Sequence, residues 1–325
     1  QILLSMIKAP RFWYRENLSI FSLILLPLNI IWIIAGFLKI NLSIKKKVNI
    51  PVISVGSAII GGSGKTPTVI FICSLLKQIG FNPHIVSRGY GGNYKDVTKV
   101  TSEFNYYEVG DEALMMSAYH STWVARNRYL GCKLAEENGA NIIVLDDGLQ
   151  TTSIVKDFSI YVYDGIQKFG NKLLVPAGPL RENIKKAVSK CSIIFQINED
   201  ETQVEFKDKY KSFAKYKLEE NHPLLQKKII AFAGLGFNKK FFDQLGNYGF
   251  DIAKTIDYPD HHQYSLEDIY SLLDEANSLN AHLITTEKDH IRIPNDFKKS
   301  INFIKGQIIV NNEADLIKEI QKNID

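Results

Sequence analysis

The hydrophobic pattern divides the chain into an unbroken apolar stretch near its start and a longer region where short apolar runs alternate with helical periodicity. From Asn17 to Leu38 no residue is charged. At about 1.5 Å per residue this stretch reaches about 33 Å, against roughly 30 Å for a hydrocarbon core. Lys8, Arg11 and Arg15 precede it; Lys39, Lys45, Lys46 and Lys47 follow it. Pro27 and Asn29 lie in its middle, which predicts a bend or interruption. The expectation is a helix, or a broken helix pair, embedded in one leaflet and held by basic residues at anionic headgroups. A single membrane-spanning anchor is the rival reading, and basic residues on both flanks give it no clear orientation. No small-residue cleavage site follows, so removal as a signal peptide is not expected.

Beyond Asn49 the pattern predicts strands over 50–55, 84–87, 141–145, 158–163, 192–197, 228–233 and 282–286. It predicts helices over 65–79, 112–119, 128–138, 239–245 and 266–278. This rhythm indicates βαβ units and a mostly parallel sheet. The polar stretch 199–220 reads as a boundary or connecting hairpin. The expected organisation is an N-terminal membrane-associated helical segment (1–47), a larger α/β domain (48–222) and a smaller α/β lobe (223–325).

Composition adds little. The chain has 325 residues, 45% of them hydrophobic, which is ample for a core, and a net charge of +4, too mild to suggest nucleic acid. Cys73, Cys132 and Cys191 are widely spaced, which argues against a disulfide framework or a zinc site.

The strongest chemical signal is Gly61-Gly62-Ser63-Gly64-Lys65-Thr66-Pro67, between a predicted strand and a predicted helix. Glycines let backbone N–H groups wrap phosphate oxygens, and the helix N-terminus adds partial positive charge. Lys65 neutralises β/γ-phosphate charge and the Thr66 hydroxyl is suited to magnesium. The strict pattern wants glycine where Ile59 stands, and the doubled glycine resembles a variant loop found in septum-site ATPases, without that loop's extra lysine, since Ile60 is there. The fold class is therefore α/β, with a P-loop NTPase-like, mostly parallel sheet and a second smaller α/β lobe.

Asp146 and Asp147 end the apolar run 142–145, where carboxylates face a phosphate loop and hold Mg²⁺. Asp111 opens a predicted helix, as an N-cap or as a catalytic group. In the rigid turn 178–182, Arg181 suits phosphate oxygens and Glu182 the metal shell, with a surface ion pair as the bland alternative. Arg88, Gly89 and Tyr90, in a glycine-rich loop after a strand, suit a second phosphate or a sugar, although a flexible loop reads the same way. In Asp260-His261-His262, adjacent histidines are poorly placed to share one metal, so an acid–base role is preferred. No role follows from the residues of Thr285-Thr286-Glu287-Lys288-Asp289 alone.

Eight stretches in order, GGSGKTP (61–67), SRGYG (87–91), GDE (110–112), DDGLQ (146–150), PAGPLRE (176–182), FAGLG (232–236), DH (260–261) and TTEKD (285–289), resemble the tetraacyldisaccharide 4'-kinase family of lipid A synthesis. The resemblance implies transfer of the ATP γ-phosphate to the 4'-hydroxyl of a tetraacyldisaccharide 1-phosphate, with Mg²⁺, at the cytoplasmic face of the bacterial inner membrane. It implies a lipid substrate and a membrane surface as partners, with no nucleic acid and no obligate protein partner. Carried onto matching positions, Asp111 is the base, supported by His261 of the other lobe. Lys65 and Arg181 stabilise the phosphoryl group, and Thr66, Asp146, Asp147 and Glu182 surround magnesium. Ser57, Ala113 and Thr151 depart from the usual family residues Asn, Pro and His. The phosphate loop and apolar segment alone equally suit a membrane-associated nucleotide-switch ATPase, and a carboxylate ligase is a third reading; retention of phosphate on a lipid acceptor separates the kinase from both.

Overall fold

The apolar runs of the sequence become strands of two sheets in the computed structural model, which describes residues 10–14, 18–198 and 209–324. The chain divides into two units, one of residues 9–216 with 308–325 and the other centred on residues 217–307.

The larger unit carries β1 (Val52–Gly56), β2 (Pro83–Ser87), β3 (Thr98–Val100), β4 (Thr122–Val124), β5 (Ile142–Leu145), β6 (Phe158–Asp164), β7 (Ile193–Ile197) and β8 (Tyr210–Leu218). With β13 (Gly306–Val310) these form a nine-stranded sheet in the order β13-β8-β7-β6-β1-β5-β2-β4-β3. β1 lies centrally, parallel to both β5 and β6. On one side of β1 lie β6, β7 and β8 and on the other β5, β2 and β4, so the loop after β1 opens at the strands' carboxyl ends, where ligands bind in such sheets. Strands covered on both faces read as continuous apolar runs; Ile53, Val55, Ile142 and Val144 pack with the helix Lys65–Gln78 through Val69, Ile72 and Leu76.

Two expectations are corrected here. Residues 210–218 are not a hairpin but a strand parallel to β7. Its buried positions are the small residues Ser212 and Ala214 as well as Leu218, and its exposed ones include Lys211 and Lys215, so it gives little apolar signal; residues 199–208 lie outside the described residues. The final helix Glu313–Ile324, read with the smaller lobe, buries Leu316 and Ile320 in the core of the larger unit. The apolar stretch takes the first of its two expected forms, one continuous helix, Ile20–Leu42, with Pro27 inside it. Side chains on either side of Pro27 are tied to the body of the unit: Asn171 Nδ2 donates to Ser22 Oγ (3.2 Å) and Asn29 Oδ1 accepts from the Ala177 N–H (3.4 Å). These anchors offset the lost helical bond at Pro27.

The helix is long and apolar enough to cross a membrane. It docks through a polar stripe, with Ser22 and Asn29 buried, and turns Ile20, Ile24, Ile31 and Phe37 outward at 63–72% exposure. That is the reverse of a helix on a water-soluble core. Lys8 and Arg15, and the side chains of Arg11 and Lys39, lie outside the described residues.

The smaller unit holds β9 (Lys228–Ala233), β10 (Asp251–Asp257), β11 (His282–Thr286) and β12 (Asn302–Ile304). They form a parallel sheet in the order β10-β9-β11-β12. Ile230, Phe232 and Leu283 pack with Ile269 and Leu272 of the helix Leu266–Leu279. β10 is missed by a hydrophobicity reading because it is an edge strand with most residues exposed.

Candidate active site

The phosphate loop follows β1 and runs into the helix Lys65–Gln78. Gly61, Gly62 and Gly64 all have φ between 62° and 75°, the left-handed region that glycine alone enters without strain. A Cβ on Gly64 would also lie 2.5 Å from Ile197 Cδ1. Gly64 caps the helix without a side-chain bond, so no side chain occupies the first-turn N–H groups; they form a ready anion site. Thr66 is the second helical residue, and Pro67 sits in the first turn, where it gives up no helical bond. Lys65 Nζ lies 3.2 Å from Ser63 Oγ and 3.9 Å from Asp147 Oδ1. Gln167, which no motif marked, buttresses the loop by donating to the Gly61 carbonyl (3.3 Å).

Asp146 and Asp147 follow β5, the neighbour of β1. Ser87 Oγ donates to Asp146 Oδ2 (2.8 Å). The Oδ1 atoms of both aspartates are buried without a hydrogen-bond partner, and Asp147 holds φ 48°, a left-handed conformation that non-glycine residues adopt mostly where the surroundings impose it. Burial, then the charges of Glu112 and Asp147, push the Asp146 carboxyl up to about 6 against the pull of Arg128. Burial also raises Asp147, but Arg181 and Lys65 outweigh it and hold that carboxyl well below the usual carboxylate range. Two carboxylates whose Oδ1 atoms accept no hydrogen bond among the described residues, beside a phosphate loop, form a hard-oxygen donor set that fits Mg²⁺.

Two cations missed by the sequence reading, Arg128 buried and Lys156 half-buried, hold this acidic turn. Arg128 donates to the Val86 carbonyl (2.7 Å) and the Asp146 carbonyl (2.8 Å), tying the ends of β2 and β5. Its only sequence signal is a cation in the first turn of the helix Arg128–Glu137, against the dipole. Lys156 Nζ donates to the carbonyls of Gly148, Leu149 and Thr151 at 3.1–3.2 Å. Burial and then Lys190 push its pKa down to about 8.

The turn carrying Arg181 is stitched to the approach of the phosphate loop. Arg181 N–H donates to the Ala58 carbonyl (2.7 Å), Ile60 N–H donates to the Pro179 carbonyl (3.0 Å), and Ile59 and Leu180 pair antiparallel. Arg181 Nη1 donates to Asp147 Oδ2 and lies 3.4 Å from Gln150 Oε1. Gln150 Nε2 donates to Glu182 Oε1 (3.0 Å), and Lys190 pairs with the other Glu182 oxygen. Glu182 thus reaches Arg181 through Gln150, and as a metal ligand it would have to release one of these partners.

Asp111 is buried and is the first residue of the helix Asp111–Ser117. The cap is Gly110, and Asp111 Oδ1 accepts from the Glu112 N–H (2.8 Å). The loop of Arg88, Gly89 and Tyr90 lies against this helix start. Gly110 has φ 90°, and a Cβ there would meet the Tyr90 carbonyl oxygen at 2.4 Å, so glycine alone permits the approach. The loop proposed for substrate and the candidate base are therefore neighbours. Tyr94 completes the junction by donating from its hydroxyl to the Arg88 carbonyl.

In the smaller unit, the two histidines separate. His262 Nε2 is 3.0 Å from Asp268 Oδ2, and its ring stacks on Tyr258. His261, at φ 57°, lies 3.3 Å from Lys288 Nζ and 3.8 Å from Asp260 Oδ1. The 285–289 motif gains a role: Asp289, fully buried, accepts from Gly234 N–H (2.9 Å), Tyr264 Oη (2.8 Å) and Arg292 Nη2 (2.5 Å). This network fixes the loops bearing Gly234 and His261, while Lys288 meets His261.

The chain as a whole is similar to known proteins. A family profile described as tetraacyldisaccharide-1-P 4'-kinase (LpxK) matches residues 21–325. Proteins named tetraacyldisaccharide 4'-kinase are similar over nearly the whole length. That of Rhodospirillum centenum is 33% identical over 93% of this chain and 92% of its own. That of Rickettsia akari is 34% identical over 95% of each. A crystal structure of LpxK from Aquifex aeolicus, described as an apo form in complex with ATP, aligns at a TM-score of 0.75 and 25% identity. It covers 94% of this chain and 99% of that one. This chain belongs to the tetraacyldisaccharide-1-P 4'-kinase family.

Proposed function

We propose that this protein is a tetraacyldisaccharide 4'-kinase of lipid A biosynthesis, moving the γ-phosphate of ATP to the 4'-hydroxyl of a tetraacyldisaccharide 1-phosphate. The carrying observation is the convergence of Lys65 and Arg181 on Asp147 beside an uncapped phosphate loop. Phosphoryl transfer asks mainly for alignment and charge neutralisation. Lys65 and Arg181 supply positive charge where the transferring group's charge is spread. Thr66, Asp146 and Asp147, with Glu182 if it changes partner, would hold Mg²⁺, which when bound neutralises phosphate charge.

Asp111 is the proposed base for the sugar hydroxyl, and Arg88, Gly89 and Tyr90 the proposed substrate loop. The sharp turn at Gly110 sets both against each other. Within the smaller unit, His261 is the proposed second acid–base group, with Lys288 Nζ 3.3 Å from its Nε2. The outward apolar face of the helix Ile20–Leu42 supports a site of action on a membrane, proposed as the cytoplasmic face of the bacterial inner membrane.

The test is transfer from γ-labelled ATP with magnesium to the tetraacyldisaccharide 1-phosphate in detergent micelles, comparing wild type with Lys65→Ala. Label should appear in the lipid and disappear in the variant. Label released only as free phosphate would replace the kinase by a nucleotide-switch ATPase.

A further inference from the structure

The polar stripe of the apolar helix is spent on one short segment of the catalytic unit. Ser22, Asn29 and Trp32 are spaced by seven and three residues, so they share one helical face. Ser22 meets Asn171, Asn29 meets Ala177, and Trp32 Nε1 donates to the carbonyl of Arg181 (2.8 Å). Apolar contacts would let a helix slide or roll; three directional bonds fix its register and rotation.

The last bond has a particular consequence. Both backbone polar groups of Arg181 are held: its N–H by Ala58 in the approach to the phosphate loop, its carbonyl by the Trp32 indole. The backbone of the arginine is thereby clamped between the phosphate loop and the apolar helix, and its side chain reaches Asp147 from that clamp. We propose that Trp32 is a positioning residue for phosphoryl transfer, acting through Arg181, so that turnover depends on how the membrane helix is seated. This rests on the kinase reading and on Arg181 facing the transferring group.

A kinetic double-mutant cycle tests it on the full-length protein, with Trp32→Phe, Arg181→Lys and the double variant in the micelle transfer assay. Trp32→Phe keeps the ring and removes the donor. The expected result is a kcat lowered about 10-fold, the size of one lost hydrogen bond to a functional group. KM for ATP and partition onto phosphatidylglycerol-containing vesicles should stay unchanged, and the melting temperature should fall by no more than a few degrees, the scale of one lost hydrogen bond. In the Arg181→Lys background, itself impaired, Trp32→Phe should change kcat by less than about 2-fold, because coupled residues are non-additive. Unchanged kcat in Trp32→Phe, full multiplication of the two losses, or a loss that follows vesicle binding or melting temperature would each overturn the proposal. Normal kcat in Arg181→Lys would instead remove Arg181 from the reaction, and the proposal with it. If Trp32→Phe does not fold, Asn29→Ala, which releases the Ala177 N–H, is read in the same cycle with the same outcomes.

Discussion

Arg181 and Asp147 form an ion pair in which the guanidinium Nη1 donates to Oδ2, while Lys65 stands 3.9 Å from the other oxygen of the same carboxylate. One anion thus spaces two cations that the proposed reaction needs close together. Removing it with Asp147→Asn should lower turnover about 100-fold or more, the scale of losing preorganised charge at a transfer site. It should also destabilise the protein by roughly 1–3 kcal/mol, since Arg181 loses a charged partner. The sign follows from the lowered carboxyl of Asp147: its stabilisation is present above the ordinary carboxylate range and is lost as pH falls through its own lower value. Denaturant midpoints of both proteins between pH 7.5 and 3 check this; the gap should hold to about pH 4 and narrow below.

Asp146 behaves in the opposite sense. Its carboxyl is pushed up to about 6, so at pH 7.5 the folded protein carries a buried charge it disfavours. The native state binds more protons than the unfolded one between the unfolded value and about 6, so this group's contribution to stability falls as pH rises through that window. Asp146→Asn should therefore stabilise the ligand-free protein at pH 7.5 by on the order of 1–3 kcal/mol. The gain should shrink as pH drops below about 6. Magnesium-dependent turnover should be lost at the same time. Melting curves at pH 5 and 7.5, with the transfer assay, decide it; a destabilised variant at pH 7.5 would show that Asp146 is held for structure.

The pair Asp289–Arg292 is almost wholly buried, at 0% and 1% side-chain exposure. Asp289→Ala leaves a buried guanidinium unpaired and frees the Gly234 N–H and the Tyr264 hydroxyl. The expected loss is about 3–5 kcal/mol. Hydrogen exchange should show opening of the smaller unit around residues 234 and 259–264 while the nine-stranded sheet stays protected.

The outward face of the helix Ile20–Leu42 gives a test that leaves the site alone. Ile24 and Ile31 are 67% and 64% exposed. Ile24→Asp with Ile31→Asp should hardly change the melting temperature but should weaken vesicle binding, since each aspartate at membrane depth costs about 2.5–3.5 kcal/mol. Sedimentation with phosphatidylglycerol-containing vesicles measures it, and unchanged sedimentation would remove this face from membrane contact.

The phosphate loop, the paired aspartates, five strands of the larger sheet and two of the smaller are legible in the sequence because each depends on local chemistry. Glycines 61, 62 and 64 take left-handed backbone that few residues allow, and buried parallel strands need unbroken apolar runs such as 142–145. The sequence alone therefore determined a phosphate loop on an α/β sheet, and with the ordered motifs, the kinase family.

Tertiary structure alone decided what joins those parts. Arg128 opens its helix as a cation, yet carbonyls of Val86 and Asp146, 42 and 18 positions away, hold it inside. Strand β8 and the helix Glu313–Ile324 are placed by what they pack against, not by their own weak patterns. Pro27 fails to break its helix because Ser22 and Asn29 are bonded to residues nearly 150 positions away. Local rules fix which conformations a segment tolerates; hydrogen bonds and burial across such separations select among them, and no window of sequence contains both partners.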